Sequence, residues 1–380
     1  MGKKGFMLLV ALIGILAYIG AQNPEILQES FFVSDDRSME TAYELDTQTL
    51  TSPNVHILDP EYDDKPSQSN ILSPGYSISS AYSYGEPFRE NTGMLTMTIT
   101  NKGNNEIYVY GYGIRQASGS GIYDFDSGYL IAPEEEKELG YACFDVPDKS
   151  TIKPEPFVKI MAASESGKWH DYGIQYFDAI EIKTRAAATE VSPQYTYNPA
   201  YLFDKINSLV NSSDPQVRSK AAKAAKEYPG KYNIYQVCAL YDNLIEDVDY
   251  ISDPRGSDYW VGPGETLEIG AGDCDDYAIT MASLVEAIGG TSRIYLTETH
   301  AYAAVYIGME EDIDRISEAI EQYYGCVPVY YATDKYGCWL LLDPSAGMYA
   351  GSLPVETAPT ENGWTYTRQT NVTVIDIAAR

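Results

Sequence analysis

The stretch G-D-C-D-D-Y-A-I-T-M-A-S-L-V-E-A-I-G-G, residues 272–290, constrains the chain more than any other. A Gly-Asp turn leads into a thiol, and Ala278, Met281, Ala282, Val285 and Ile288 then recur at the three- and four-residue spacing of a buried helical face. Gly289 and Gly290 supply the stop signal. Cys274 therefore stands at the N-terminal end of a helix. Unpaired backbone N–H groups and the positive end of the helix dipole gather there, and both stabilise negative charge on sulfur and could hold an oxyanion. A free cysteine is more often a small buried residue, but a first-turn position argues for reactivity.

Two residues further along complete a candidate site. His300, in T-H-A-Y-A-A-V-Y-I-G, opens a run of small, aromatic and β-branched residues that reads as a buried strand, and Asp343 closes the apolar run W-L-L-L-D-P-S-A-G. In this order, G-D-C-x-D-Y-A on a helix, H-A-Y at a strand start and W-L-L-L-D-P at a strand end resemble the transglutaminase-like superfamily of papain-type cysteine enzymes. The resemblance spans roughly residues 200–350. It implies an α+β fold, a papain-like transglutaminase core with helices packed on an antiparallel sheet. It also implies Cys274 as nucleophile, His300 as general base and acid, and Asp343 as the group that orients the imidazole. Tyr302 stands where the family commonly has Trp, so an aromatic ring is kept.

The chemistry so implied is acyl transfer on peptide or glutamine-type amides through a thioester, with no cofactor. Water as acceptor makes a protease or amidase, and an amine makes a cross-linking transglutaminase. Hydrolysis is preferred here, because the resemblance is to the small microbial core and no feature marks an amine site. A catalytically silent surface or binding protein that keeps the fold is the competing class. The loop before the helix, D-P-R-G-S-D-Y-W-V-G-P-G-E-T, resembles the family's loop over the cleft. Its Tyr259 and Trp260 are candidates to wall the cleft or hold an oxyanion, or simply to pack the loop down.

Ahead of this core the chain changes character several times. Two lysines followed by apolar residues from Phe6 to Ala21 make residues 1–21 a signal peptide or an N-terminal membrane anchor, cleaved or retained, and place the protein at the extracellular face of the membrane or beyond it. Residues 22–85 mix Ser, Thr, Pro, Asp and Tyr without a period and read as a stalk or loosely ordered lead-in. Residues 86–184 alternate apolar and polar positions in short runs such as M-L-T-M-T-I-T, N-E-I-Y-V-Y-G-Y-G-I, K-E-L-G-Y-A-C-F-D-V, P-F-V-K-I-M-A-A-S and Y-F-D-A-I-E-I-K-T. That is the pattern of an all-β, immunoglobulin-like sandwich. A linker, 185–199, leads to the catalytic domain, 200–380. There Pro215 opens one helix, and Ile234, Val237, Cys238, Tyr241, Leu244 and Ile245 share a face of the next. A further helix around 309–325 has an acidic, solvated face.

A net charge of −29 excludes nucleic acid and anionic membrane surfaces as partners and leaves a protein or peptide substrate, with the oligomeric state open. Five cysteines is an odd number for an exported chain, as a free nucleophile requires. Cys326 and Cys338 flank a hairpin through A-T-D-K-Y-G and form a candidate pair, Cys143 reads as an inward strand residue, and Cys238 as core. Three histidines and no C-x-x-C leave no metal site. D-F-D-S-G-Y, with Asp124, Asp126 and Gly128, faintly resembles a calcium loop without its remaining ligands. His56 and His170 are isolated, and Asn211 and Asn371 fit the glycosylation pattern. Asp273, Asp275 and Asp276 flank the thiol with like charge, and are expected to turn away to cap the helix or to meet Arg255 or Arg293, leaving His300 to balance the sulfur.

Overall fold

The computed structural model describes residues 47, 48, 50 and 62–378, apart from 117–120, 187, 189, 190, 254–258 and 362. The apolar stretch read as a signal or anchor, His56 and Arg255 lie outside the described residues. Among the described residues no helix is long and apolar enough to cross a membrane.

The first elements are all strands: β1 (Ile78–Tyr84), β2 (Thr92–Asn101), β3 (Ile107–Gln116), β4 (Ile122–Ile131), β5 (Glu136–Asp145), β6 (Thr151–Ile152), β7 (Pro154–Ala163), β8 (Trp169–Tyr176) and β9 (Ile182–Lys183). They form a three-stranded sheet, β1-β2-β5, and a four-stranded sheet, β4-β3-β7-β8, with β6 paired to β9. Alternation turns Leu95, Met97 and Ile99 of β2 inward against Ile107 and Val109 of β3 and Val158 and Ile160 of β7, all fully buried in one cluster. This is an immunoglobulin-like sandwich.

Several of its strands differ from the sequence reading. The segment D-F-D-S-G-Y lies in β4, where Asp124 forms an ion pair with Lys159 across the sheet, so the calcium-loop likeness does not hold. Two of its exposed alternate positions, Asp124 and Asp126, are acidic, which thinned the apolar signal. β8 was not anticipated, and of Y-F-D-A-I-E-I-K-T only the two-residue β9 beyond Tyr176 is strand. The stretch before β1 is also not loose from residue 62 onward. Asp63 donates its N–H to the Gly128 carbonyl at 2.7 Å, its carboxylate accepts the Leu130 N–H at 2.7 Å, and the Ser69 N–H reaches the Trp169 carbonyl at 2.8 Å. Such docking leaves no hydrophobic period to read. β1 itself falls inside the expected lead-in.

Next come β10 (Gln194–Tyr197), α1 (Ala200–Leu209), α2 (Pro215–Glu227), α3 (Ile234–Asp247), β11 (Asp249–Tyr250), α4 (Pro263–Ile269), β12 (Ala271–Gly272) and α5 (Cys274–Ala287). They are followed by β13 (Ser292–Leu296), β14 (Ala301–Gly308), α6 (Ile313–Tyr324), β15 (Tyr331–Asp334), β16 (Gly337–Leu342), β17 (Thr357–Thr360), β18 (Gly363–Tyr366) and β19 (Asn371–Asp376). A six-stranded sheet runs β10-β19-β13-β14-β16-β15, antiparallel except for the β10–β19 pair. Its two faces follow from the strand period of two. Ala303, Val305, Leu340 and Leu342 pack under α3, α5 and α6, whereas Tyr295, Tyr302, Tyr306 and Trp339 form an aromatic layer on the other side.

The helices start where their caps dictate. Asp214 accepts backbone N–H groups at the head of α2 with Pro215 in its first turn, and Asn233 and Gln236 form a reciprocal capping box on α3. Ile245, expected on the buried face of α3, is 37% exposed. α5 departs further from expectation. Every residue from Asp275 to Val285 is buried, because α2, α3 and α4 enclose the sides that the sheet leaves open.

Cys143 of β5 forms a disulfide with Cys326, just after α6, with a Cα–Cα separation of 6.0 Å. This corrects the candidate Cys326–Cys338 pair. Cys338 lies opposite Thr333 in the hairpin register and is buried as a free thiol, while Cys326 precedes the hairpin and meets the sandwich.

Candidate active site

The head of α5 is built locally. Asp276 turns its carboxylate back to accept the Asp273 N–H at 3.3 Å, and also the Val261 N–H at 3.0 Å, which ties the preceding loop to the helix. Gly270, with φ at +69°, ends α4 in the left-handed conformation, and β11 then pairs in parallel with β12 immediately before the thiol. A Cβ on Gly272 would lie 2.7 Å from the Cβ of Asp276, so the approach needs glycine. Of the three free cysteines, Cys238 and Cys338 are buried and Cys274 is partly open to solvent.

His300 and Asp343 arrive from strand ends. His300 precedes β14, and its N–H donates to the Thr297 hydroxyl at 3.0 Å in the tight connection from β13. Its Nε2 lies 2.7 Å from Asp343 Oδ2, and its ring is close enough to Cys274 for the two groups to interact electrostatically. Because Asp343 occupies Nε2, Nδ1 is the ring nitrogen left for the sulfur. Burial pushes the imidazole down, but the Asp343 and Cys274 contacts outweigh it and hold His300 up to about 10. Asp343, 1% exposed, follows β16 directly.

Several residues that hold Asp343 were not singled out from sequence. The Ser345 hydroxyl donates to Oδ1 at 2.6 Å and the Val355 N–H to Oδ2 at 3.1 Å. The Asp343 carbonyl accepts the Tyr241 hydroxyl at 2.9 Å and the Gly347 N–H at 2.7 Å. Ser345 carried a signal, since a serine two positions after an aspartate in D-P-S suits a local turn. Val355, acting through its backbone, carried none.

The acids around the thiol depart from expectation. Asp276 caps the helix as expected, and Asp273 completes the capping box and accepts the Asp253 N–H at 3.5 Å, yet Asp273 and Asp275 both stay near the sulfur. Ligand-type atoms of Asp273, Cys274 and Asp275 lie within 4.8 Å of one another, and Asp273 Oδ1 is buried without a hydrogen-bond partner. Arg293 does not meet these acids, because it is fully buried against Asp376 at 2.7 Å and Asp334 at 2.7 Å. The negative field at the sulfur therefore makes the imidazolium the balancing charge. Tyr250, also missed, faces the same group; burial pushes its phenol up, Ser252 opposes this, and Cys274, Asp273 and Asp275 add to the rise.

The two cleft candidates separate. Trp260 is half-buried in the apolar cluster that includes Cys274, with the Lys205 ammonium 3.4 Å from its ring centre. Tyr259 is 65% exposed and joins no such cluster.

Residues 219–344 match the transglutaminase-like superfamily, a span that contains Cys274, His300 and Asp343. No curated relative matches the chain. Among solved structures, a candidate cysteine protease from Cytophaga hutchinsonii is 14% identical, over 80% of this chain and 90% of its own, with a TM-score of 0.25. A candidate protease from Parabacteroides distasonis is 10% identical, over 74% and 72%, also at 0.25. The CARDB domain of a Pyrococcus furiosus protein is 10% identical, over 30% and 97%, at 0.18. At TM-scores this low none of the three fixes a fold or a reaction. What the comparisons show is a likeness to the transglutaminase-like superfamily over residues 219–344.

Proposed function

We propose that this protein is a cysteine-dependent acyl-transfer enzyme that hydrolyses peptide or glutamine-type amides outside the cell. The observation that carries the reading is the position of His300, in contact with the partly open Cys274 on one side and 2.7 Å from Asp343 on the other. Cys274 attacks the amide carbonyl as a thiolate. The carbon–nitrogen bond breaks as Nδ1 of His300 passes its proton to the departing amine, and a thioester to Cys274 remains. His300, now neutral, takes a proton from water, whose oxygen attacks the thioester to release the acid and restore the thiolate–imidazolium pair. Asp343 keeps the ring oriented throughout. The apolar cluster that Trp260 shares with Cys274 supports a role for it in walling the substrate's approach.

The apolar stretch from Phe6 to Ala21 supports export, by cleavage or by a membrane tether, and the Cys143–Cys326 disulfide supports an oxidising compartment. Fractionation that found the full-length chain in the cytoplasm would overturn the location. For the reaction, purified protein is incubated with a peptide mixture, with and without a primary amine, and products are read by mass spectrometry. New termini or glutamine deamidation that depend on Cys274 support hydrolysis. Amine incorporation in their place assigns a transglutaminase. Neither product, together with Cys274 alkylating no faster than thiols of the denatured chain, leaves a binding protein.

A further inference from the structure

The six-stranded sheet carries a second concave feature, on the face away from α5. A cleft of about 370 Å³ is walled by Tyr195, Tyr197, Tyr295, Tyr330, Trp364 and Tyr366, and its volume is that of a small-ligand site. The register explains why rings gather there. Tyr195 and Tyr197 of β10 lie beside Val372 and Val374 of β19, and Tyr295 of β13 pairs with Val374, so all three project to the same side.

The polar groups of the cleft divide into used and unused. Tyr366 shares a 2.6 Å hydrogen bond with Tyr302, and the Tyr295 phenol faces the charge of the Arg293 guanidinium. The Trp364 indole donates to the Tyr331 carbonyl at 2.8 Å. Asp334, the charged residue of the lining, is committed to Arg293, the Trp339 indole and the Tyr336 N–H. The phenols of Tyr195, Tyr197 and Tyr330 have no hydrogen-bond partner among the described residues. Burial pushes Tyr195 and Tyr330 up to about 12, so both stay neutral hydroxyls, each able to donate and accept.

These features select a ligand chemistry. A charged ligand finds no uncommitted counter-charge in the lining, and a wholly apolar one would cover three phenols without pairing them, at a desolvation cost. A sugar ring meets both demands. Its C–H faces lie on the negative faces of the aromatic rings, and its equatorial hydroxyls, also donors and acceptors, pair with the phenols. We propose that this cleft is a binding site for a neutral glycan, separated from the thiol by the thickness of the sheet.

The test is calorimetric titration of the full-length protein with cellohexaose, chitohexaose, mannohexaose and laminarihexaose. At least one should bind saturably, and equally well in the Cys274→Ala variant, so the result stands apart from the proposed reaction. The Tyr195→Ala, Tyr197→Ala double variant should weaken it at least tenfold; these side chains are 43% and 39% exposed. Tyr330→Phe, which keeps the ring and removes the hydroxyl, should weaken it several-fold. Failure of all four sugars at millimolar concentration overturns the proposal. So does sugar binding indifferent to the tyrosines, or a proline-rich peptide that takes the cleft while the sugars fail.

Discussion

At one end of the candidate site Cys274 is placed by its own neighbourhood, through the Asp276 cap, the β11–β12 pairing and a helix buried from Asp275 to Val285. At the other end Asp343 is placed from afar. Its contacts come from Tyr241 of α3, from Ser345 and Gly347 in the loop after β16, and from Val355. That loop is in turn gripped by the sandwich. Tyr141 of β5 donates its hydroxyl to the Met348 carbonyl at 2.8 Å and packs edge-on against Tyr324 and Tyr349, with the Cys143–Cys326 bridge alongside. The Ala350 N–H reaches the Tyr324 hydroxyl at 3.3 Å. Cys274 therefore rests on a helix, whereas Asp343 rests on loops held by a second layer of structure. Changes made far from the site should reach the second end and spare the first.

The largest effect belongs to the sulfur itself. Cys274→Ala should lower acyl transfer by a factor on the order of 10⁴ or more while leaving the melting temperature unchanged within error, since a partly open side chain is removed from a well-capped helix. A melting temperature that fell by many degrees would contradict the local placement of this end.

Next in size is the coupling between imidazole and carboxylate. Asp343→Asn should lower kcat/KM by roughly 10² to 10⁴, because the amide favours the wrong tautomer. The sign of its pH effect follows from the raised value of His300, about 10 against 6.5. Stabilisation by the charged ring is fully present below pH 6.5 and fades as pH rises towards 10. In the variant that fade should begin at lower pH, which melting curves from pH 6 to 10 would register. An unchanged profile would remove Asp343 from the pair.

The third effect measures what charge reaches the sulfur. Asp273 and Asp275 stay close to it, so His300→Ala should slow alkylation of Cys274 at least about tenfold near neutral pH, equivalent to roughly 1.4 kcal/mol. Asp275→Asn should leave that rate equal or raise it. If His300→Ala alkylates as fast as the parent, the imidazolium is not the activating charge.

Reduction of the bridge tests the difference between the two ends directly. The Cys143→Ser, Cys326→Ser variant should lose about 2 to 4 kcal/mol of stability, given the long loop the bridge closes. Its acyl transfer should fall several-fold as the Asp343 loop loosens, with iodoacetamide still reaching Cys274 at nearly the parental rate. Equal losses in both would mean that the ends are not separately supported.

What could be read from sequence follows the same division. Cys274, His300 and Asp343 were legible because each sits where a periodic pattern starts or stops: a helix head, a strand start, a strand end. The apolar strands β2, β3, β5 and β7 were legible for the same reason. β4 and β8 were not, since Asp, Gly and Gln positions interrupt their apolar alternation, and residues 62–76 dock by scattered hydrogen bonds and ring contacts that no pattern encodes. The Cys143–Cys326 pairing joins positions 183 residues apart, so only the packing of sandwich on core brings them together. The buried Arg293, held between Asp334 and Asp376, was likewise beyond sequence, because the sheet register sets Asp376 beside it and only the folded sheet brings Asp334 of the β15–β16 hairpin within reach.

The smallest effect concerns Ser345, whose hydroxyl meets Asp343 Oδ1 while its backbone lies at an exposed turn. Water can replace the lost donor there, so Ser345→Ala should cost about 1 kcal/mol, or roughly a fivefold drop in kcat with KM nearly unchanged. Tyr241→Phe is the informative companion. That phenol donates to the Asp343 backbone carbonyl from full burial, where no water can stand in, so its loss should appear in the melting temperature. The carboxylate itself would keep Ser345, Val355 and His300 as donors, and the pH profile of activity should stay in place. If the two variants instead behave alike in both readouts, the carboxylate and the carbonyl of Asp343 are not held independently, and the loop moves as one body.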